Sequence, residues 1–350
     1  MADDREAVEV EVLQDVVSSL PPARFVFAYG SGALPQRGVT STSRMLDFVL
    51  AVDKAEQWHR ENMYSRGNWP HYSTLMTWLG PRAVSSVQQS ALGARIYYNT
   101  LVPWKNGRTI KYGVITLSDL LDDLREWRTL YVSGRMQKPV RILQSDETVE
   151  LANQKNIEYA ARAALLTLPE QFDEVRFFEA VASLSYVGDP RISMAAEDPK
   201  KVSRIVSSNR EAFRQMYRPA LNRLQKYVSW NSVWGSATQN MQTDARVELL
   251  GKLPGSFVKR MRSYVNEDEF SRMSRTRGFL ANKKESFERM IARGLASRGE
   301  EYCRRALTST ISRTVRQSST AQMFKGILTA GMVRSAKYAI SKLGRGRLCG

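Results

Sequence analysis

The stretches Arg24-Phe-Val-Phe-Ala-Tyr29-Gly30-Ser-Gly32 and Met45-Leu-Asp-Phe-Val-Leu-Ala-Val52 decide the fold. Each contains a short, β-rich apolar run of the length of a buried strand. The first run stops abruptly at two glycines around a serine. Glycines directly after a strand let backbone N–H groups approach a phosphate, and the Ser31 hydroxyl adds a donor. The same residues also suit a plain tight turn, because no Gly-Lys-Ser/Thr follows and the third glycine of a dinucleotide fingerprint is missing. The second run carries one acid, Asp47. A carboxylate buried there without a partner costs several kcal/mol, so it binds a metal, a basic side chain or a backbone donor.

Working outward, Val8 to Leu20 reads as a short helix ended by Pro21-Pro22. Arg95 to Asn99 and Thr109 to Thr116 flank a turn containing Asn106-Gly107 and predict a β-hairpin. Residues 1–145 therefore form an α+β unit with a mixed sheet. From Ser118, a good N-cap, the pattern turns helical: Leu120, Leu121, Leu124, Trp127 and Tyr131 recur at helical spacing. Asp146 to Leu168, Pro169 to Leu184, and a segment from Asp198-Pro199 to Tyr217 predict further helices. Trp230 to Pro254 reads as a linker inside a helical unit spanning 146–255.

The rest, 256–350, is set apart by charge. The whole chain of 350 residues carries +17, and the last 80 residues hold eighteen Lys/Arg against four Asp/Glu, or +14. A basic tail on a nearly neutral body suggests docking to a polyanion, either nucleic acid or an anionic membrane surface. Leu328, Met332, Ala336, Ala339, Ile340 and Leu343 fall on one helical arc, with Arg334, Lys337, Lys342 and Arg345 opposite. Such an amphipathic helix lies in a membrane interface, or packs its apolar arc on the body. No apolar run reaches the ~18 residues of a transmembrane helix. Two cysteines, Cys303 and Cys349, cannot build a disulfide framework, so a reducing compartment is expected. With His59 and His71 the only histidines, a bound metal needs oxygen ligands, which points to magnesium or manganese. Residues 1–23 hold six acids and one Arg, unlike an arginine-rich matrix presequence.

A strand, a Gly-Ser turn and an acid-bearing strand, in that order, resemble the nucleotidyltransferases of the polymerase-beta superfamily. In those, the turn holds a triphosphate and strand carboxylates hold magnesium. Val49 stands where the second acid of their Asp-x-Asp pair is expected, and the spacer from Ser31 to Asp47 is longer. A second ligand must come from elsewhere: Asp53 across a bend, since six extended residues would otherwise put it ~20 Å away, or an acid of the second unit.

Further motifs then come in order. They are Phe27-Ala-Tyr-Gly-Ser-Gly32, Met45-Leu-Asp-Phe-Val49, Trp58-His59 with Asn62, His71-Tyr-Ser73, Ile110-Lys-Tyr-Gly-Val114 and Gly134-Arg-Met-Gln-Lys-Pro-Val140. Leu184-Ser-Tyr with Gly188-Asp189 and Arg191, and Arg316-Gln-Ser, complete the set. Together, from about Phe25 to Lys342, they closely resemble the mitochondrial phosphatidate cytidylyltransferases, the translocator assembly and maintenance type of CDP-diacylglycerol synthase. The resemblance implies a nucleotidyltransferase domain, a helical winged-helix-like domain and a membrane-associating C-terminal segment. It implies a magnesium-dependent reaction of CTP with phosphatidate giving CDP-diacylglycerol and diphosphate, in phospholipid and cardiolipin synthesis. It places the enzyme peripherally on the matrix side of the mitochondrial inner membrane. Phosphatidate and an anionic membrane surface are then the expected partners, and nucleic acid is not.

On that reading Tyr29, Gly30, Ser31 and Gly32 hold the triphosphate, and Asp47 the magnesium ion. Lys111 alternates against Ile110 and Tyr112 on its strand, so its ammonium either faces the site or stands exposed. His59 and His71 either hydrogen-bond the nucleotide or are structural. Arg135 and Lys138, with Arg191, either bind the lipid phosphate or coat the surface. Asp189 caps a helix, or serves with Asp47 and Asp53 as an active-site or metal carboxylate.

Overall fold

The computed structural model describes residues 2–34, 45–91, 93–193, 200–231, 235–267, 271 and 286–330. Its strands are β1 (Phe25–Tyr29), β2 (Leu46–Val52), β3 (Ile96–Pro103), β4 (Thr109–Thr116), β5 (Arg141–Gln144), β6 (Gln171–Asp173), β7 (Val228–Trp230) and β8 (Ser236–Gln239). The helices of the first half are α1 (Ala2–Ser18), α2 (Ala55–Arg60), α3 (Thr74–Gln89), α4 (Leu117–Glu126), α5 (Ser133–Met136) and α6 (Glu147–Leu165). They are followed by α7 (Glu174–Ser183), α8 (Pro190–Ser193), α9 (Lys201–Ser208), α10 (Arg210–Arg223), α11 (Thr243–Gly251), α12 (Gly255–Arg260), α13 (Phe287–Ala296) and α14 (Glu300–Ala330). The architecture is α+β.

Five strands form one sheet in the order β3-β4-β2-β1-β5. β2 and β4 are parallel and the other neighbours antiparallel, so the sheet is mixed. The β1 run is apolar throughout because both of its faces are covered. Val26 and Ala28 pack with Phe48, Leu50, Trp58 and the α1 residues Leu13 and Val16. Phe25 and Phe27 pack on the other side with Val49, Ala51, Leu120 and Leu124 of α4, and Val149 of α6. A strand buried on both faces reads as a continuous apolar run rather than an alternation.

The second unit wraps helices around an antiparallel sheet in the order β6-β8-β7. Its core joins Phe177, Phe178, Phe213 and Tyr217 to Phe257, Ile291, Leu295, Leu307 and Ile311, so the described helices after residue 255 share it. α14 then crosses back to the first unit. Ser318 Oγ donates to the Thr129 carbonyl at 2.8 Å, Gln322 bonds Ala94 and Ile96 at 3.2 Å each, and Lys325 Nζ donates to the Gln88 carbonyl at 2.9 Å.

Four local expectations need correction. The hydroxyl of Thr116, not Ser118, caps α4 by accepting from Asp119 N. Pro169 precedes strand β6 rather than a helix, and Asp173 caps α7. Where one helix was expected to reach Tyr217, α9 and α10 meet at Asn209 and continue to Arg223. The expected linker contains β8 and α11. The Asp198-Pro199 signal and the amphipathic segment from 331 onward lie outside the described residues. No helix among the described residues is long and apolar enough to cross a membrane.

Candidate active site

Register places the site. Antiparallel pairing sets Tyr29 opposite Asp47, and parallel pairing sets Asp47 beside Lys111, so one row of the sheet carries all three. Asp47 and Lys111 are 22% and 12% exposed, with Nζ 3.5 Å from Asp47 Oδ1. The Lys111 ammonium also lies 4.5 Å from the centre of the Tyr98 ring. Gly30 adopts φ +78°, a conformation other residues rarely take, and a Cβ there would stand 3.8 Å from Asp47 Oδ2. The Gly-Ser turn thus folds over the carboxylate. Ser31 is exposed at its tip, and Gly32 is buried where a Cβ would meet the Met45 carbonyl oxygen at 2.5 Å.

A second wall is built by Asp123, buried on α4. Its carboxylate accepts from the N–H groups of Thr129, Leu130, Val132 and Ser133 and from the Thr129 hydroxyl, at 2.7–3.1 Å. These bonds hold a loop in which Trp127 and Leu130 take left-handed φ of 50° and 53°. The loop leads into α5, where the Arg135 guanidinium lies 4.1 Å from the Tyr131 ring centre and 5.1 Å from that of Tyr29. Arg135 also donates to the Tyr131 carbonyl at 2.6 Å.

The second unit supplies Arg191. Its Nε donates to the two Asp189 oxygens at 3.0 and 3.2 Å, and Nη2 donates at 2.5 Å. Burial pushes the Tyr131 phenol up, but the charges of Arg135, Arg191 and Lys111 outweigh it and bring the phenol down to about 8. Cations from both units therefore act on one point. Burial, then the Asp47 charge, raises the Tyr29 phenol, and the buried hydroxyls of Tyr29 and Tyr98 close no well-formed hydrogen bond with the described residues. Lys138 is buried, donating to the Gly134 carbonyl and to Ser185 Oγ at 2.6 Å. Burial first, and then the Arg135 and Lys201 charges, hold its ammonium well below the usual lysine range.

The two histidines lie elsewhere. Tyr112 alternates to the face opposite Lys111, and its hydroxyl pairs with His71 Nδ1 at 2.8 Å. Asn62 Nδ2 donates to both the Tyr112 and Tyr72 hydroxyls at 2.9 Å, while His59 bridges Tyr72 and Gln88 at 2.8 Å each. His59 is fully enclosed, and burial, opposed by the Gln88 bond, lowers it to about 4. The unfolded chain takes up a proton near pH 6.5 that the folded one refuses until about 4, so acid within this window favours unfolding. Wild type is expected to lose roughly 3 kcal/mol more than His59→Gln between pH 6.5 and 4, read by urea midpoints. Parallel midpoints for the two proteins would contradict a neutral buried His59.

Of the other carboxylates put forward, β2 runs unbent from Leu46 to Val52, so Asp53 stands past its far end, 3.4 Å from Arg24. Nothing returns it to Asp47. Asp189 gives both oxygens to Arg191. Among the described residues no three His, Cys, Asp or Glu side chains gather as a metal site. Tyr98, Tyr131 and Asp123 were not singled out by sequence reasoning. Asp123 had a signal: it falls on the helical face of Leu120, Leu124 and Trp127, where an acid needs partners.

Residues 13–345 match the family model described as "Phosphatidate cytidylyltransferase, mitochondrial". The protein of that name from Danio rerio is 37% identical over 322 residues, covering 91% of this chain and 88% of the relative. Its namesake from Bos taurus is 37% identical over 91% of this chain and 88% of its own. The one from Schizosaccharomyces pombe is 33% identical, covering 93% and 81%. With a family model spanning nearly the whole chain and such relatives across most of both lengths, the protein belongs to the mitochondrial phosphatidate cytidylyltransferase family of enzymes.

Proposed function

We propose that this chain joins CTP to phosphatidate, giving CDP-diacylglycerol and diphosphate, with magnesium or another divalent cation as cofactor. The observation that carries the reading is the row of Tyr29, Asp47 and Lys111 beneath the Gly-Ser turn, with Lys111 Nζ 3.5 Å from the carboxylate and the Arg135 guanidinium 5.1 Å from the Tyr29 ring centre. A phosphate monoester with its second pKa near 6 is already ionised at neutral pH. The catalyst therefore needs no base; it must bring two polyanions together and hold them in line. A phosphatidate oxygen bonds to the α-phosphorus of CTP as the bond from that phosphorus to the departing diphosphate breaks. The Gly30-Ser31-Gly32 turn and Tyr29 seat the triphosphate. Lys111 and Arg135 offset its charge, and Arg191, fixed by Asp189, meets the lipid phosphate. Buried Lys138 supports this wall from behind, bound to Gly134 and Ser185.

The donor set suits magnesium, which commonly uses one or two carboxylates together with substrate phosphates. Asp47, partly exposed beneath the turn, is the carboxylate that fits. When bound there, the ion supplies charge neutralisation of the phosphates.

We place the enzyme on the matrix face of the mitochondrial inner membrane, held peripherally, in the route toward cardiolipin. The relatives' names include "mitochondrial". Residues 331–350 carry Arg334, Lys337, Lys342, Arg345, Arg347 and no acid, which suits anionic lipid. Labelled CTP supplied with phosphatidate vesicles should yield labelled lipid with magnesium and not with EDTA. Extension of RNA instead would assign a different acceptor, and no transfer to either would remove the activity. Deleting 331–350 should weaken vesicle flotation more than tenfold at roughly 1 kcal/mol per cation, with CTP affinity unchanged. Equal flotation of both forms would move the membrane contact elsewhere.

A further inference from the structure

An apolar groove of about 990 Å³ runs between α3 and α14, away from the Asp47 row. Leu75, Met76 and Val87 form one wall, and Ala321 and Phe324 the other, with Arg316 at one end and Lys325 along the floor. No acid lines it. Two of its lining residues stand largely in water, Phe324 at 60% and Leu75 at 53% exposure, and Trp78, about one turn after Leu75 on α3, is 82% exposed. Gly80, at φ +80°, and Pro81 break α3 just after Trp78 and Leu79. A large apolar groove edged by exposed apolar side chains marks a binding face.

Chemistry and position identify the occupant. A tryptophan beside leucine and phenylalanine suits a membrane–water interface, where the indole is apolar in body and polar at one edge. Arg316 is exposed and makes no hydrogen bond or ion pair with the described residues, so the groove offers an uncompensated cation at its end. Its volume is at the upper end of the ~300–1,000 Å³ of small-molecule sites. Arg316 and Gln317 of the groove adjoin Ser318, which bonds Thr129, two residues from Tyr131. Along α14, the Arg316 end of the groove is thus level with the Thr129 loop that leads to Arg135.

We propose that this groove seats the acyl chains of phosphatidate, with Arg316 holding the lipid phosphate on its way to the Tyr131 wall. The proposal rests on the phosphatidate reading above and adds where the chains lie. An aqueous path from membrane to active site is then unnecessary, because the chains stay in apolar surroundings while the headgroup reaches the cations.

The test uses the full chain and three probes: dioctanoyl phosphatidate, dioctanoyl phosphatidylcholine and glycerol 3-phosphate, titrated by calorimetry without CTP. Ala321→Trp and Ser86→Trp fill the groove from opposite walls. Each is expected to weaken dioctanoyl phosphatidate binding tenfold or more while CTP affinity stays unchanged. Arg316→Gln is expected to lower the preference for phosphatidate over phosphatidylcholine about fivefold. Unchanged lipid affinity in both filled variants overturns the proposal, as does equal affinity of the wild type for glycerol 3-phosphate. If filling instead converts a dimer to a monomer in sedimentation with lipid affinity intact, the groove belongs to a second copy. The two readings fail separately. A wild type that binds dioctanoyl phosphatidate in the groove but transfers nothing from CTP keeps the groove and loses the reaction; turnover indifferent to filling does the reverse.

Discussion

Asp47→Asn is expected to lower cytidylyl transfer by roughly a thousandfold or more while leaving the protein folded. The amide matches the carboxylate in size, and it removes the negative charge of Asp47 beneath the Gly-Ser turn. What remains cannot bind a divalent cation well, and Lys111 is left to compete for the triphosphate without its neighbour. The cost in stability is small. The Asp47–Lys111 pair at 3.5 Å is partly exposed, and such pairs contribute about 1 kcal/mol or less. A melting temperature within a few degrees of wild type, together with lost turnover at saturating CTP, is the outcome that supports a ligand role. Retained turnover with a large drop in melting temperature would make Asp47 a structural partner of Lys111.

Much of this site was legible in the sequence because its parts are local. The apolar runs of β1 and β2 and the glycines ending β1 announce themselves within a few residues. The pairing that matters is not local. Lys111 meets Asp47 only because β4 pairs in parallel with β2, and no pattern around either residue states that register. Tyr131 escaped notice for a related reason. On a helical reading of Leu120 to Tyr131 it continues an apolar stripe, whereas the helix ends at Glu126 and Asp123 folds the following residues into a loop. The histidines were open to either role on sequence alone. Being the only two, His59 and His71 invite a chemical role, yet the polar network behind the sheet absorbs both of them, with Tyr72, Tyr112, Asn62 and Gln88 as partners. Asp53 followed from a bend in β2 that the uninterrupted ladder with β4 does not make.

Asp189→Asn separates two roles for the remaining carboxylate. Asp189 is 3% exposed and bonds Arg191 through both oxygens, and Arg191 is among the cations that depress the Tyr131 phenol. Breaking a buried pair from one side leaves the other charge without compensation, at a cost of about 3–5 kcal/mol. Part of the Arg191 side chain stays in water, so the lower end applies, and a melting temperature drop of roughly 4 °C follows for a chain of this size. Transfer should fall as well, because an unanchored guanidinium no longer points at the site. The pair predicts a further result that a metal ligand does not. In the double variant Asp189→Asn with Arg191→Gln, no charge is left stranded, so part of the lost stability should return while activity stays low. A metal carboxylate would behave differently: its amide would leave the melting temperature near wild type, raise the magnesium concentration needed for CTP binding, and gain nothing from a change at Arg191. Thermal melts of the wild type, the two single variants and the double variant decide between these, and additive losses in the cycle would remove the ion pair as the reason Asp189 is there.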